Sequence, residues 1–247
     1  MRHSPAKEST QDVSAGIRWT KLIRGTLVRR YKRFLAEIRL RDGRIITAHC
    51  PNSGSMRGCL EPGGKVFLSR SENPRRRYPY TWELIETPGS LVCVNTLIAN
   101  RLVSKAITSR SVRSLSEYHL LRSEVQCSEN SRLDLLLEAS GGELCFVEIK
   151  SCTLVEDGVA YFPDAVTTRG RRHLIELQRQ VTLGRRAVIF FLIQRADARV
   201  FRPADHIDPA YGAELRCAAQ NLVEIQAYDV RLTPQEIELN SEIPWEL

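Results

Sequence analysis

Two alternating apolar segments flank a glycine pair in residues 131–151, which read SRLDLLLEASGGELCFVEIKS. The alternation predicts two antiparallel strands joined by a three-residue loop that contains both glycines. In that register Asp134 lies opposite Glu148, and Arg132 lies opposite Lys150. Side chains alternate along a strand with period two, so all four side chains share one face of the predicted hairpin.

Two carboxylates face each other in this hairpin, Asp134 and Glu148. Directly opposed residues have Cβ atoms about 4.5–5.5 Å apart, and like charges at that distance repel. The surrounding residues are mostly apolar on both faces, so unpaired charges would cost several kcal/mol each. Two interpretations stay open from spacing alone: a divalent cation between the carboxylates, or a structural ion cluster with Lys150 and no catalysis.

The composition is that of a globular protein. The chain has 247 residues, of which 43% are hydrophobic, and a formal net charge of +7. We expect no membrane span and no export, because no apolar run approaches 18 residues and the start lacks an apolar signal segment; the predicted location is the cytoplasm. Seven cysteines without a CxxC pair argue against a disulfide framework and a zinc ribbon, and predict reduced, mostly buried thiols.

Charge is distributed unequally along the chain. Residues 1–120 carry 22 Lys and Arg against 9 Asp and Glu, whereas residues 121–247 carry 14 against 20. A basic segment of this kind attracts polyanions, and nucleic acid is the commonest intracellular one. The predicted partner is therefore nucleic acid, bound through the N-terminal half.

The pattern of strands and turns predicts an α+β protein. Five short strands before residue 90 indicate a small β-barrel, OB-like or SH3-like by strand count, and we favour the OB-like barrel because of its basic and aromatic residues. The predicted parts are a flexible tail at residues 1–17, an OB-like β-barrel at 18–90, a linking helix at 91–112 and an α/β domain at 113–247.

The α/β domain is predicted to have a central mixed sheet flanked by helices. Its βαβ unit consists of strand 143–151, helix 167–183 and strand 187–193. Ligands collect at the carboxyl ends of such strands, so we expect Arg169 and His173, at the start of the helix, to contact phosphate. For Glu176 and Gln180 we expect an ordinary solvated helix face.

Two clusters in the barrel interleave basic and aromatic residues. Arginines bind phosphates and exposed rings stack on bases of any identity, which predicts sequence-tolerant binding. We interpret Phe34 and Trp82 as core residues. The loop 51–55 either presents backbone donors to phosphate or forms a tight turn. The predicted nucleic-acid-binding residues of the barrel are Arg30, Lys32, Arg33, Arg75, Arg76, Arg77 and Tyr78.

The spacing between Asp134 and the run Glu148-Ile149-Lys150 resembles the signature of PD-(D/E)XK nucleases. Leu133 stands where that signature has an optional proline. The chain as a whole resembles the sugar fermentation stimulation protein A family. The resemblance is carried by segments throughout the chain, among them 30–36, 49–56, 77–84, 94–96, 100–102, 123–125, 131–134, 147–151 and 161–167. It implies an N-terminal OB-like domain, a C-terminal nuclease-like domain and DNA binding.

The resemblance also implies roles for the site residues. Asp134, Glu148 and the carbonyl of Ile149 would bind magnesium or manganese, since these hard ions take oxygen ligands. Lys150 would orient the attacking water and offset negative charge on the phosphate. Glu124 matches the helical glutamate of many such nucleases and could bind the metal through water, although it could equally be a surface acid.

The sequence thus predicts a magnesium-dependent nuclease that binds DNA. The alternative is a DNA-binding regulatory protein without enzymatic activity, which affects sugar (maltose) metabolism and has a silent nuclease-like domain. A role in RNA processing stays open as well, because no residue identifies a contact to a 2′-hydroxyl group. The sequence leaves the oligomeric state open.

Overall fold

The computed structural model describes residues 16–128 and 131–247. Glycines at positive φ, such as Gly43 and Gly63, form the turns between the first strands. In chain order the strands are β1 (Ile17–Arg18), β2 (Ile23–Tyr31), β3 (Leu35–Leu40), β4 (Ile45–His49), β5 (Lys65–Arg70), β6 (Tyr80–Glu86), β7 (Leu91–Cys93), β8 (Tyr118–Ser128), β9 (Ser131–Ala139), β10 (Leu144–Cys152), β11 (Leu154–Glu156), β12 (Val159–Phe162), β13 (Arg186–Ile193), β14 (Val200–Pro203), β15 (Glu224–Leu232) and β16 (Glu236–Glu242).

The helices are α1 (Leu97–Thr108), α2 (Thr168–Thr182) and α3 (Pro209–Gln220), and a side-chain cap marks the start of α2 and of α3. Thr167 caps α2 by accepting a hydrogen bond from the Gly170 amide at 3.0 Å. Asp208 caps α3 in the same way. Helix α1 starts at Leu97, whose amide donates to Asn95 Oδ1 at 3.0 Å. Asn95 therefore lies two residues before the helix.

The N-terminal part is a closed five-stranded barrel. Its strands follow the order β4-β3-β2-β5-β6, and a parallel pairing of β4 with β6 closes it. Leu27, Ile38 and Trp82 are fully buried in its interior. This arrangement confirms the predicted OB-like barrel. The indole of Trp82 is a core residue, as predicted, whereas Phe34 is 47% exposed, and its assignment to the core was wrong.

A seven-stranded mixed sheet forms the centre of the second part, in the order β1-β16-β15-β13-β10-β9-β8. Strands β10, β13 and β15 are parallel, and the other pairings are antiparallel. This confirms the predicted α/β domain with a mixed sheet. Strand β13 is apolar from Ala187 to Ile193, where protein covers both of its faces. A smaller sheet, β11-β12-β14, lies beside it and was not predicted.

Two apolar cores lie on opposite faces of the central sheet. One combines Leu84 of the barrel, Leu102 of α1 and Val188 of the sheet. The other joins Leu174 of α2 to Ile189 and to residues of α3. Helix α1 therefore packs between the barrel and the sheet, which places its polar face close to strands β9 and β10.

Residues 1–15, which are most of the predicted flexible tail, lie outside the described residues. Ile17 was placed in that tail, but it is buried and pairs with Ile237 in the central sheet. The predicted linking segment, 91–112, contains β7 and α1. The boundaries 18–90, 91–112 and 113–247 stay predictions.

Within residues 16–128 and 131–247, no helix has both the length and the apolar composition needed to cross a bilayer. The cytoplasmic location stays a prediction.

All seven cysteines are free thiols, and five of them are buried, as the sequence predicted.

Candidate functional site

Strands β9 and β10 separate at the predicted carboxylates. The hairpin has the predicted register from the pair Leu144–Glu138 to the pair Val147–Leu135, and its pairing ends there. Strand β10 continues beside β13 as far as Cys152. The expected pairs Asp134–Glu148 and Arg132–Lys150 are therefore wrong as ladder pairs, although the register that led to them is right. The separation opens a polar gap at the edge of the two cores.

The side chain of Asp134 bridges this gap. Its Oδ2 atom accepts a hydrogen bond from the Ile149 amide at 2.7 Å, in place of a main-chain partner. Its Oδ1 atom accepts a hydrogen bond from Asn100 Nδ2 of α1 at 2.8 Å. Burial, together with the nearby charge of Glu148, raises the pKa of Asp134 to about 7. At neutral pH this carboxylate is therefore close to half protonated when no cation is bound.

Glu148 is the centre of a buried charge cluster. Its Oε1 atom lies 2.6 Å from Lys150 Nζ and also contacts His173 Nδ1. Burial opposes ionisation of Glu148, but Lys150 and His173 outweigh it, and the pKa of Glu148 is lowered. The other oxygen, Oε2, is buried and has no hydrogen-bond partner among the described residues. An ionised carboxylate thus keeps one coordinating oxygen free beside Asp134.

His173 faces this cluster from α2. It is 7% exposed, and Arg169 Nε donates to its Nε2 atom at 3.3 Å. A neutral imidazole that accepts at Nε2 has its proton at Nδ1, which then donates to Glu148. His173 thus contacts Glu148, Lys150 and Arg169, and the phosphate contact predicted for it stays a prediction. The phosphate contact predicted for Arg169, which is exposed, stays a prediction.

The far end of the same helix face is not solvated. Glu176 and Gln180 are 6% and 2% exposed, so the expectation of a solvated face was wrong for both. Gln180 Nε2 donates to Glu176 Oε1 at 2.7 Å. The face is polar and buried because it packs against the sheet beside the charge cluster.

Glu124 lies on a strand and not on a helix, which corrects the expected helical position. It belongs to β8, at the level of Asp134, since the neighbouring pairs are Ser123–Leu135 and Val125–Leu133. Its side chain is 58% exposed and lies 3.8 Å from Arg132 Nη1. The sequence did not predict β8 because most of this edge strand is exposed and lacks a clear apolar alternation. A role of Glu124 in metal binding stays a prediction.

The first basic cluster of the barrel holds a loop in place. Arg30 donates to the carbonyl oxygens of Asn52 at 2.7 Å and of Gly54 at 3.0 Å. Arg33 donates to the Ser53 carbonyl at 2.9 Å. The loop also binds the second part of the chain, because the amide of Met56 donates to Asp164 Oδ2 at 2.8 Å. Residues 52–56 therefore join the barrel to the α/β part of the chain.

The second basic cluster lies on the exposed loop between β5 and β6. Arg75, Arg76 and Arg77 are exposed, and Arg77 stacks over the ring of Tyr78 with 5.4 Å from its Cζ atom to the ring centroid. Arg76 donates to Thr81 Oγ1 at 2.9 Å. Lys32 is exposed at a positive φ in the turn between β2 and β3. Nucleic-acid binding by both clusters stays a prediction.

The donor set suits a small divalent cation. Two carboxylates converge where β9 and β10 separate, and Glu148 Oε2 is an unpaired buried oxygen. No group of three or more His, Cys, Asp or Glu side chains positioned to bind one metal occurs in the described part of the chain. Magnesium fits such a site, because proteins usually hold it with one or two carboxylates together with waters and substrate phosphates.

Sequence reasoning missed two components of the site. Asn100 fixes the Asp134 carboxylate from α1, and its position on the polar face of that amphipathic helix was the available signal. The second component is a groove lined by arginines from β9 and α2, among them Arg132 and Arg172. No sequence pattern joins these residues, since they lie forty positions apart.

Comparison with known proteins agrees with both parts of this architecture. Residues 28–94 match the family model described as SfsA N-terminal OB domain, and residues 97–236 match the sugar fermentation stimulation protein RE domain. The chain belongs to the sugar fermentation stimulation protein family. This confirms the family resemblance seen in the sequence, and the second match agrees with the predicted nuclease-like fold.

Relatives of this family cover nearly the whole chain. A sugar fermentation stimulation protein homolog of Pelobacter propionicus is 54% identical over 228 residues, which is 92% of this chain and 99% of that protein. The homolog of Geobacter sulfurreducens is 53% identical over 223 residues, 90% of this chain and 95% of that one. The solved structure of Pyrococcus furiosus SfsA in complex with Ca²⁺ has 28% identity and a TM-score of 0.87, covering 94% of this chain and 98% of its own.

The raised pKa of Asp134 predicts a pH-dependent stability for the metal-free protein. The pKa is about 7 in the fold against 3.8 for the free side chain, so the native state binds more protons between these values. The contribution of Asp134 to stability is therefore greatest below pH 4 and is lost as the pH rises through 7, by on the order of 4 kcal/mol. We expect Asp134→Asn to remove this loss.

Urea unfolding in EDTA at pH 4 to 8 measures this effect. The free energy of unfolding of Asp134→Asn minus that of wild type should be near zero at pH 4 and increase towards pH 8. Subtraction cancels the other titrating groups, which both proteins share. A difference that does not change with pH would show that Asp134 keeps its ordinary pKa.

Proposed function

We propose that this protein is a divalent-metal-dependent nuclease that acts on DNA, with magnesium or manganese as its cofactor. The observation that carries the proposal is the buried Oε2 atom of ionised Glu148 near Asp134, which has no hydrogen-bond partner in residues 16–128 and 131–247. A buried carboxylate oxygen without a partner costs free energy, which a cation recovers. The complex of the Pyrococcus furiosus relative with Ca²⁺ supports a divalent ion.

In this proposal Asp134, Glu148 and the carbonyl of Ile149 hold the ion. When bound, the ion supplies Lewis-acid polarisation of the scissile phosphate. Asn100 and the Ile149 amide fix the two oxygens of Asp134 before metal or substrate arrives. His173 and Lys150 hold Oε1 of Glu148, so that Oε2 is the oxygen left for the ion.

Lys150 serves the reacting groups directly. Its ammonium group is 11% exposed and is retained by Glu148 at 2.6 Å. An ammonium so placed donates to the attacking water and to the phosphate oxygens, where negative charge increases in the transition state. His173 and Arg169 link this cluster to the groove side of α2. The protein thus binds and orients the phosphodiester with groups whose positions are already set.

The barrel contributes nucleic-acid binding. Arg75 and Arg77 lie on a loop between barrel strands, and such loops are the usual binding surface of OB folds. Exposed arginines next to Tyr78 suit phosphate contacts combined with base stacking. Arg30 and Arg33, in contrast, are engaged by the 52–56 loop and act in this proposal by positioning that loop.

Thermal melts and a nicking assay on the full chain test the proposal. Magnesium or manganese should raise the melting temperature by an amount that increases with metal concentration, since a ligand that binds only the native state stabilises it by mass action. The same ions should permit nicking of supercoiled plasmid DNA, and EDTA should abolish it. In Asp134→Asn, the metal-dependent shift in melting temperature should shrink.

The opposite result decides for the alternative function. Melts that ignore both ions, with intact plasmid, would identify the charge cluster as structural. The protein would then be a DNA-binding regulatory protein without nuclease activity, provided that it still retards DNA in a gel.

A further inference from the structure

A basic groove lies beside the charge cluster, between the β8–β9 hairpin and the first turns of α2. It has a volume of about 340 Å³. The lining includes Gln126, Ser131, Arg132, Arg169, Arg172 and His173. His173 connects the groove to the site, because its ring also contacts Glu148. The groove thus leads from the protein surface to the carboxylate of the candidate nuclease site.

The charges of this groove are not balanced by the protein. Arg169 and Arg172 have no ion pair with an acidic side chain in residues 16–128 and 131–247. The only acid of the groove among these residues is Glu124, which lies 3.8 Å from Arg132 while both side chains are more than half exposed. Exposed pairs of this length contribute little. Two or more positive charges therefore remain available for an anion.

The position of Arg169 and Arg172 at the start of α2 makes their unpaired positive charge less favourable still. Arg169, Arg171 and Arg172 occupy the start of a 15-residue helix whose first turn contains no acidic residue. Cations at a helix N-terminus are unfavourable, because the helix dipole is positive there. An anion bound in the groove would relieve this repulsion.

Ser131 supplies an independent indication of a ligand. It lines the groove and is 8% exposed, yet its Oγ atom has no hydrogen-bond partner among the described residues. Buried hydroxyl groups in native proteins nearly always have a partner. A phosphate oxygen in the groove would accept the hydrogen bond that Ser131 can donate.

We propose that this groove binds a phosphodiester group of the nucleic-acid strand, next to the phosphodiester group that lies at Glu148 and Lys150. The inference rests on the proposed function and adds a substrate subsite to it. Arg132 and Arg172 hold the phosphate from two sides, and Ser131 donates to it from the wall. The contacts are to the backbone alone, so the subsite positions the strand without selecting its sequence.

Fluorescence anisotropy with a labelled 20-base-pair duplex of mixed sequence tests the subsite. The measurement is made in EDTA, so no strand is cut and binding is separated from cleavage. The double variant Arg132→Ala/Arg172→Ala should bind at least about tenfold more weakly. The slope of log K against log salt should fall by about 0.9 for each phosphate that the variant no longer neutralises.

A matched double variant controls for net charge. Arg179→Ala/Arg231→Ala removes two exposed arginines outside the groove, both of which have weak ion pairs of 3.7 and 3.5 Å. It should change the affinity less than twofold. Equal losses of affinity for the two double variants, or no loss for the groove variant, would overturn the subsite. If the groove variant binds the duplex more weakly as expected, but the wild-type protein does not cut DNA with either metal ion, only the proposed nuclease function is overturned.

Ser131→Ala provides a second test that does not disturb the fold. The hydroxyl has no partner among the described residues, so its removal should leave the melting temperature unchanged or slightly higher. Affinity for the duplex should nevertheless fall about tenfold, as expected when one hydrogen bond to a charged group is removed. Unchanged affinity would show that the hydroxyl does not reach the phosphate and would overturn its role.

Discussion

Glu148→Gln should reduce metal-dependent DNA cleavage by about 10³-fold, which corresponds to about 4 kcal/mol of transition-state stabilisation. The substitution keeps the shape of the side chain and an oxygen that can accept from Lys150. It removes the charge that the unpaired Oε2 atom offers to a cation. The measurement is the initial rate of plasmid nicking at saturating magnesium and at saturating manganese.

Glu138→Gln is the matched control for this prediction. Glu138 lies on strand β9, pairs with Leu144 in the same hairpin, and is only partly buried beside His119. The same chemical change there should leave the nicking rate within about twofold, as for most surface substitutions. Cleavage by Glu148→Gln at the wild-type rate would mean that the nuclease activity resides elsewhere in the chain.

Lys150→Ala should lower the free energy of unfolding of the metal-free protein by about 3 kcal/mol at pH 7. Lys150 and Glu148 are 11% and 3% exposed and form a 2.6 Å ion pair. Removing one member of a buried pair leaves the other charge uncompensated, which is far more costly than removing a surface ion pair. Urea unfolding in EDTA gives the value directly.

Lys65→Ala is the control for this second effect. Lys65 also pairs with a glutamate, Glu86, at 3.1 Å, but its side chain is 77% exposed. Its removal should cost no more than about 1 kcal/mol. Magnesium should stabilise Lys150→Ala more than wild type, because the ion replaces the missing positive charge next to Glu148. Equal stability of Lys150→Ala and wild type would show that Glu148 is solvated or protonated in the fold.

Much of the candidate site could be predicted because it depends on one hairpin. Alternation of apolar residues and a three-residue glycine loop determined the register, and the structure has the predicted pairs up to Leu135 and Val147. The same period-two pattern placed Asp134, Glu148 and Lys150 in one region. The continuous apolar run of β13 likewise indicated a strand covered on both faces.

Other features could not be read from neighbouring residues. The hairpin separates at Asp134 because this side chain binds the Ile149 amide, and Asn100 of a distant helix holds it there. His173 was expected to contact phosphate, and no sequence pattern indicated that the packing of α2 on the sheet brings its ring to Glu148. Nucleic-acid binding by Arg30 stays a prediction, and only the fold shows that the carbonyls of residues 52 and 54 accept hydrogen bonds from this side chain.

The sequence by itself determined the five barrel strands, the register of the β9–β10 hairpin, the buried strand β13 and which half of the chain is basic. These properties follow from side-chain periodicity and from composition, both of which are local. Only the tertiary structure decided which charges meet, namely Lys150 and His173 on one oxygen of Glu148 while the other has no partner among the described residues. The physical reason is that burial and charge pairing depend on segments far apart in the chain, which come together only when the helices pack on the sheet.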